Sequence, residues 1–456
     1  MNKKHVVIIG GGISGLSAAF FLSRRASREH LPVEITVLEA SPRFGGVLRT
    51  LTQGDLRMEA GADAFDAGPS DAADLCRDLG LREDLVEAPL CFRHFFGLKG
   101  KTLYPVPGLP GSFSEAVPFL KDPRLSFSAK CRLLAEPFIP RRKEEGDESF
   151  AGFIRRRLGE RFYQAVAKPL VQGVYMMDPE RLSLEALFPR LWRIEKTYGS
   201  LIGSFLYGAN EKKGEAERSL TLRHGLESLV RALVRSLEGC VLRRSAPVRE
   251  CAYRSGWEIF LEDGAVLKAD ILGLAMNACD SSKLLSRTAP GLSRELSGIS
   301  YAPIATVGLI YKAGDVPVRG LGPGFLVPWG GERYPFSSLK CLGKSADGKY
   351  VLMRAFLPGA LDPGSSHESD AALRQKVLVF LNDSLGIRAE PLFLSVERYP
   401  QALPYYEIGH LERVRKIEER MRACPGLFLA GNGFRGFGIT ECVRQARVAV
   451  SGLPLS

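Results

Sequence analysis

No two cysteines of this 456-residue chain form a C-x-x-C pair, and no two of its six histidines form H-x-x-x-H or H-x-H. The nine cysteines (Cys76, Cys91, Cys131, Cys240, Cys251, Cys279, Cys341, Cys424 and Cys442) are scattered and odd in number. That pattern argues against a disulfide framework and for a reducing compartment. The dispersed histidines argue against a metal site. No stretch reaches the roughly 18 apolar residues that a spanning helix requires. The first apolar run is short and feeds directly into glycines, so it does not read as a secretory leader. The expectation is a cytoplasmic protein, with peripheral membrane contact left open. There is no internal repeat, no low-complexity tract and no nucleic-acid module. The net charge of +11 therefore points to an anionic membrane or an acidic small molecule before it points to nucleic acid. With 45% apolar and 25% charged residues the composition is that of a globular protein, and the length suits two or three domains.

What is present begins at Val6-Val7-Ile8-Ile9, an apolar run suited to a buried parallel strand. Gly10-Gly11-Gly12-Ile13-Ser14-Gly15 follows, then an amphipathic run from Leu16 to Arg25. Gly10, Gly12 and Gly15 have the spacing G-x-G-x-x-G. The first permits the turn, the second removes a side chain where a pyrophosphate approaches, and the third lets helix and strand pack closely. The helix start offers its N–H groups to the phosphates. A second strand, Val33 to Leu38, ends at Glu39, where a βαβ unit places the acid that binds a ribose hydroxyl. Two more glycines in Arg43-Phe44-Gly45-Gly46-Val47 allow a second close approach. An ordinary βαβ unit with glycines for packing alone is the plainer alternative.

The combined pattern resembles the fingerprint of flavoproteins of the amine-oxidase and protoporphyrinogen-oxidase superfamily. An NAD site would share Gly10 to Gly15 and Glu39 but has no use for Arg43-x-Gly45-Gly46. Further segments carry the likeness to the protoporphyrinogen/coproporphyrinogen oxidase family: Pro169-x-x-x-Gly173-Val174-Tyr175-x-x-Asp178-Pro179-x-x-Leu182-Ser183, then Arg398-Tyr399-Pro400 to His410, then Gly431-Asn432 with Phe437-Gly438-Ile439-Thr440. The resemblance implies an α/β fold, with a Rossmann-like, glutathione-reductase-like FAD-binding domain. It implies FAD held by Gly10, Gly11, Gly12, Ile13, Ser14, Gly15, Glu39, Ala40, Arg43, Gly45, Gly46, Val47, Gly61, Ala62, Asp63, Ala64, Val248, Tyr399, Gly431, Asn432, Phe437, Gly438, Ile439 and Thr440. Within that set, Met58 to Phe65 would run beside the flavin ring, Val248 would pair with the adenine edge, and Tyr399 would stand where the family commonly has Trp. Asn432 replaces the Asp of many relatives, and Met276-Asn277-Ala278 departs from the usual A-T-P.

The expected division is an FAD-binding domain of residues 1–85, 218–290 and 396–456. An inserted helical region that could face a membrane and also contributes to the substrate site spans 86–217, and a mixed, antiparallel-sheet substrate domain spans 291–395. Between Pro89 and Pro140, prolines, aromatics and cations are interleaved. This suits either an interfacial membrane surface or the core of a helical domain. The charged stretch 141–148 reads as a solvated loop, and Pro169 and Gly173 read as helix breakers. His410 reads as structural.

The resemblance implies oxidation of a porphyrinogen in heme synthesis, with molecular oxygen as acceptor. Protoporphyrinogen IX is the substrate expected from Arg435-Gly436-x-Gly438-Ile439, with coproporphyrinogen III as the alternative. An amine oxidase, a carotenoid desaturase or a non-catalytic flavin-binding protein are further readings. No catalytic proton carrier and no metal is expected, since the ring's own pyrroles stabilise the charge left by hydride loss. Arg93, Lys99, Lys101 and Arg190 are the candidate partners of the propionates. A homodimer, and handover of product to the next enzyme of the heme pathway, are the remaining partner expectations.

Overall fold

The structure, a computed structural model, describes residues 3–68, 70–88, 94–99, 102–107, 119–206, 218–316, 324–326, 337–345, 347–359, 361 and 368–455; side chains at 94–99, 102–107, 205, 206, 325 and 344 are not described. The chain divides into two compact units. The first comprises Met1–Ala88, Gly214–Ser300 and Leu411–Ser456, and the second Pro89–Lys213 and Tyr301–His410.

The strands of the two largest sheets are, in chain order, β1 (Lys4–Ile9), β2 (Val33–Leu38), β3 (His94–Lys99), β4 (Thr102–Pro107), β5 (Val241–Arg243), β6 (Ile271–Leu274), β7 (Tyr301–Lys312), β8 (Gly324–Leu326), β9 (Ser338–Lys344), β10 (Tyr350–Pro358), β11 (Phe393–Pro404) and β12 (Leu427–Leu429).

In the first unit five parallel strands lie in the order β5-β2-β1-β6-β12. Val6, Val7, Ile8 and Ile9 are 0–3% exposed: Val6 and Ile8 join the helix-lined core, and the strand Val266–Ala269 also packs against β1. The helix Ile13–Arg28, here α1, buries Ser14, Gly15, Ser17, Ala18 and Ala19. These small residues let its backbone lie close to the sheet. The C-terminal helix Ile439–Ser451, α2, joins the same core through Ile439, Cys442, Val443, Ala446 and Val450.

In the second unit seven strands lie in the order β11-β7-β10-β9-β8-β3-β4. All neighbours are antiparallel except β8 and β3. Alternation along the strands sorts the side chains to two faces. Val307, Leu309, Tyr311, Leu339, Met353, Ala355 and Leu357 form an aliphatic core with Leu373, Val377, Phe380 and Leu381 of the helix Asp370–Leu385. The opposite face carries Ile304, Thr306, Ser338, Lys340, Arg354, Phe356, Glu397 and Tyr399, as the strand register requires. A second core of this unit is helical and aromatic, built on Phe150, Phe153, Phe162, Tyr163, Val166 and Leu170.

Several expectations need correction. Residues 94–107 are not helical; they form the hairpin β3–β4 at one edge of the seven-stranded sheet. Residues 396–410 fall in the second unit, because β11 runs unbroken beside β7 from Phe393 to Pro404, and residues 291–300 fall in the first. Pro169 and Gly173 do not break a helix. Lys168–Tyr175 is helical throughout and continues directly from the π turn Tyr163–Ala167, so Pro169 sits inside a longer helical run whose hydrogen-bond ladder widens just ahead of it. Gly173 is there for space: a Cβ would meet Leu326 Cδ2 at 1.9 Å. The 141–148 stretch is anchored at Asp147, whose carboxylate accepts from the N–H groups of Glu148, Glu185 and Gly409 at 2.9, 3.2 and 3.0 Å. His410 is 4% exposed and stacks on Tyr406 at 3.9 Å between centroids, as a structural histidine would.

The described aromatics of 89–140 divide between buried and exposed positions. Phe119 is 2% exposed and belongs to the helical core, whereas Phe127 and Phe138 are 84% and 86% exposed. Phe92, Phe113, Arg93 and Lys101 lie outside the described residues, and so does the side chain of Lys99. Among the described residues no helix is long and apolar enough to cross a membrane.

One ion pair of the second unit is wholly buried. Glu136 and Arg157 are both 0% exposed. The Glu136 carboxylate accepts from Arg157 Nε at 2.7 Å, Ser200 Oγ at 2.5 Å and the N–H groups of Leu201 and Ile202 at 3.0 and 3.1 Å. Arg157 spends its other donors on the carbonyls of Ile139 and Gly199, each at 2.8 Å. Removing one partner strands the other's charge, so Glu136→Ala should cost about 3–5 kcal/mol, whereas replacing both with apolar groups should cost much less. Denaturant unfolding followed by near-UV circular dichroism should show the single variant unfolding earlier than the Glu136→Leu/Arg157→Met double variant.

Candidate functional site

The site grows from the end of β1. Gly10 has φ +108, a conformation that disfavours any side chain, and a Cβ there would also meet Ala275 O at 2.4 Å. A Cβ at Gly15 would meet Gly10 O at 1.8 Å, so the helix touches the turn backbone to backbone. Gly12 differs. Its Cβ would meet nothing nearer than Gly46 Cα at 3.9 Å. Packing within the chain does not demand a glycine there, and the space it leaves is open to a ligand. Gly12 is the residue at which α1 begins, with no side-chain cap and no acidic residue in the first turn. The first N–H groups of α1, including those of Ile13 and Ser14, therefore face that space uncapped and favour an anion.

The second glycine pair comes to the same place. Gly45 N–H donates to Gly11 O at 2.8 Å, and Gly12 and Gly45 form a parallel bridge. Arg43 holds this loop. Its guanidinium donates to the carbonyls of Phe44 and Leu48, each at 3.2 Å, and to that of Gly46. Its contribution in this geometry is to the shape of the loop. Val47 is 45% exposed on the same loop, and the chain returns beside it at Gly61, where a Cβ would lie 2.3 Å from Val47 O. That contact brings the segment Gly61, Ala62, Asp63 and Ala64 to the loop.

Glu39 follows β2. One carboxylate oxygen accepts from Gly11 N–H at 2.7 Å and the other from Ser41 N–H at 2.8 Å. Two backbone donors fix the carboxylate at the glycine turn and leave lone pairs for a diol. Glu39 also joins the strand segment beyond it: its carbonyl accepts from Ala246 N–H at 2.9 Å and its N–H donates to Arg243 O at 2.8 Å. Exposed Ala40 lies between these bonds, and Val248 begins the strand Val248–Tyr253 two residues past Ala246.

The last part comes from β12 and α2. Ala430 N–H donates to Leu274 O at 3.0 Å, and Gly431, at φ +146, turns the chain out of the sheet toward Asn432. Arg435 clamps the next loop through both oxygens of Glu418, and Gln445 donates to Gly436 O at 2.9 Å. Phe437 and Gly438 then lead into α2, which, like α1, has no side-chain cap at its start. Ile439 is buried there, and Thr440 Oγ1 hydrogen-bonds Ser70 Oγ at 3.0 Å, tying α2 to the helix that Ser70 caps. Burial raises the Glu441 carboxyl above its usual range, with Asp66 and Asp71 adding to the shift. Burial likewise pushes the Cys442 thiol up to about 12, against a hydrogen bond from Ser14 that lowers it.

Every proposed cofactor residue except Tyr399 thus lies in the first unit. Tyr399 stands on β11 of the second, opposite Ile304. Sequence reasoning missed the residues that hold the loops. Glu59 accepts from Leu226 N–H at 2.9 Å, and Glu227 accepts from Thr50 N–H at 3.0 Å. These bonds join residues about 170 positions apart, so no local pattern announces them.

A family model described as flavin containing amine oxidoreductase matches residues 13–452. The coproporphyrinogen III oxidase of Bacillus subtilis is 30% identical, covering 99% of this chain and 98% of its own. The protoporphyrinogen oxidase of Homo sapiens is 29% identical, covering 98% of each chain. A solved structure from Exiguobacterium sp. 255-15 superposes with a TM-score of 0.85 at 28% identity, covering 99% of this chain and 98% of that one.

The first unit fits the FAD that this family carries: an uncapped helix start and the gap at Gly12 for the pyrophosphate, and Glu39 for the ribose. Gly12→Ala should add a Cβ to the gap without a clash inside the protein. The purified variant should keep its circular dichroism but lose most bound flavin, and Glu39→Ala should weaken FAD by about 1.5–3 kcal/mol in a reconstitution titration. The chain belongs to the flavin containing amine oxidoreductases, within their protoporphyrinogen/coproporphyrinogen oxidase family, and is an FAD-dependent oxidoreductase.

Proposed function

We propose that this chain oxidises a porphyrinogen to the corresponding porphyrin in heme synthesis, with molecular oxygen as the final acceptor. The observation that carries the reading is end-to-end similarity: 30% identity over 99% of the chain to an oxidase named for coproporphyrinogen III. FAD, when bound, supplies a two-electron acceptor that can return its electrons to oxygen as hydrogen peroxide. The chain's own tasks are to hold the dinucleotide on uncapped helix starts, to aim one carbon of the macrocycle and to neutralise its carboxylates.

Charge favours the substrate with more carboxylates. Coproporphyrinogen III carries four propionates and protoporphyrinogen IX two, and each carboxylate taken out of water needs a partner. The chain has a net charge of +11, and one sheet face of the second unit holds Arg354 at 1% exposure beside Lys340. We therefore favour coproporphyrinogen III over the protoporphyrinogen IX suggested by the C-terminal segment. In a side-by-side fluorescence assay of porphyrin formation, kcat/KM should be higher for coproporphyrinogen III. A clear preference for protoporphyrinogen IX would reverse the substrate assignment, and oxidation of neither would remove the function.

Peripheral membrane contact belongs to the same reading. Phe127, Leu134 and Phe138 are 84%, 57% and 86% exposed on one short stretch of the second unit, and Lys121, Arg141 and Lys143 are exposed near them in sequence. Exposed aromatics with cations suit the surface of an anionic bilayer. Flotation with anionic liposomes should show binding that salt reduces and that Phe127→Ser/Phe138→Ser abolishes without changing turnover of dissolved substrate. Equal flotation of that variant would rule out this surface.

A further inference from the structure

The sheet face of the second unit that looks away from the aliphatic core has an arrangement no packing argument explains. Its residues stand in cross-strand rows. One row reads Ser395, Gly308, Arg354, Lys340, Gly324, on β11, β7, β10, β9 and β8. The next reads Glu397, Thr306, Phe356, Ser338, Leu326. Arg354 and Lys340 are thus directly opposite each other on paired strands, a placement that is unfavourable for like charges. Both bear on one ring: Arg354 Cζ is 5.2 Å and Lys340 Nζ 4.9 Å from the centroid of Phe356. Arg354 is 1% exposed. Across these two rows the described side chains set two cations against one carboxylate, Glu397.

Ser338 adds an independent observation. It is 2% exposed, on the same face as Lys340 and Phe356, and its Oγ has no hydrogen-bond partner among the described residues. A buried hydroxyl left unsatisfied costs about 1–3 kcal/mol, so such groups are usually explained by a missing partner. The row containing the cations is flanked by Gly308 and Gly324, which carry no side chain. Beside it Met176, Ile304 and Phe356 form a small apolar cluster with Ala402 and Leu403. Two cations, a waiting hydroxyl and an adjoining apolar, aromatic surface are complementary to a carboxylate on a large apolar ring system.

We propose that Lys340, Arg354 and Ser338 form the receptor for a propionate carboxylate of the porphyrinogen. This inference rests on the function proposed above. It replaces the candidate propionate partners expected from sequence, Arg93, Lys99, Lys101 and Arg190, with residues of β9 and β10. Lys340, the partly exposed member, makes the first contact. Ser338 donates its hydroxyl to the carboxylate, and Arg354 supplies charge from behind.

The test measures binding of the product porphyrin at equilibrium to FAD-loaded protein. Wild type, Lys340→Met, Lys340→Arg and Ser338→Ala are titrated with coproporphyrin III and with its tetramethyl ester, which has the same ring and no charge. Lys340→Met should weaken the free acid about tenfold or more, the size expected for losing a charge-assisted contact. It should leave the ester unchanged and raise KM for coproporphyrinogen III more than it lowers kcat. Lys340→Arg should retain most of the affinity, and Ser338→Ala should lose a smaller share for the free acid alone. The proposal fails if Lys340→Met and Ser338→Ala bind the free acid as wild type does, or if they weaken acid and ester alike. Should wild type oxidise neither porphyrinogen, the functional reading itself falls, and this receptor with it; wild-type turnover with unaffected variants overturns the receptor alone.

Discussion

The first unit depends on backbone touching backbone at the end of β1. Gly15 lies against Gly10, Gly45 bonds Gly11, and Gly12 bridges Gly45, all without an intervening side chain. This contact sets α1 hard on the parallel sheet and aims its uncapped start at one place. Everything else in the unit converges there. Glu39 is fixed by Gly11, the 43–48 loop is fixed by Arg43, and α2 arrives beside α1 with its own uncapped start. Because a pyrophosphate needs aligned donors and an absence of bulk, the same close approach that builds the fold leaves a place that suits one.

The second unit solves a different problem. Its sheet buries one, largely aliphatic, face against a helix, which leaves the other face free to carry polar chemistry. The buried Glu136–Arg157 pair adds little net stability to the helical part, since two ions removed from water are at best compensated. Arg157 ties down the carbonyl of Ile139, and the Glu136 carboxylate holds the start of the Leu201–Leu206 helix. The pair thereby holds the neighbouring segment that exposes Phe138.

Much of this was legible in the sequence where the signal is local. Gly10 to Gly15, Glu39 and the β1–α1–β2 unit could be read because spacing and chemistry coincide within forty residues. Ser149 acts as a helix cap just where a serine precedes the largely apolar Phe150 to Ile154. The failures have a common cause. Residues 94–107 were read by their prolines and aromatics, although hairpin strands at a sheet edge tolerate both. Gly173 looked like a breaker because the side chain that requires it, Leu326, is far away in sequence. Arg354 and Lys340 looked like ordinary charges, and only the strand register sets them opposite one another. Register is a tertiary fact that alternation alone does not give.

The central claim is that this flavoprotein takes electrons from a porphyrinogen. The most direct measurement mixes FAD-loaded protein with coproporphyrinogen III without oxygen and follows the flavin absorption together with porphyrin fluorescence. The account predicts that the flavin bleaches on mixing, that porphyrin appears in proportion, and that admitting air restores the oxidised spectrum. Flavin that stays oxidised with coproporphyrinogen III and with protoporphyrinogen IX, yet bleaches with a simple amine, would contradict it.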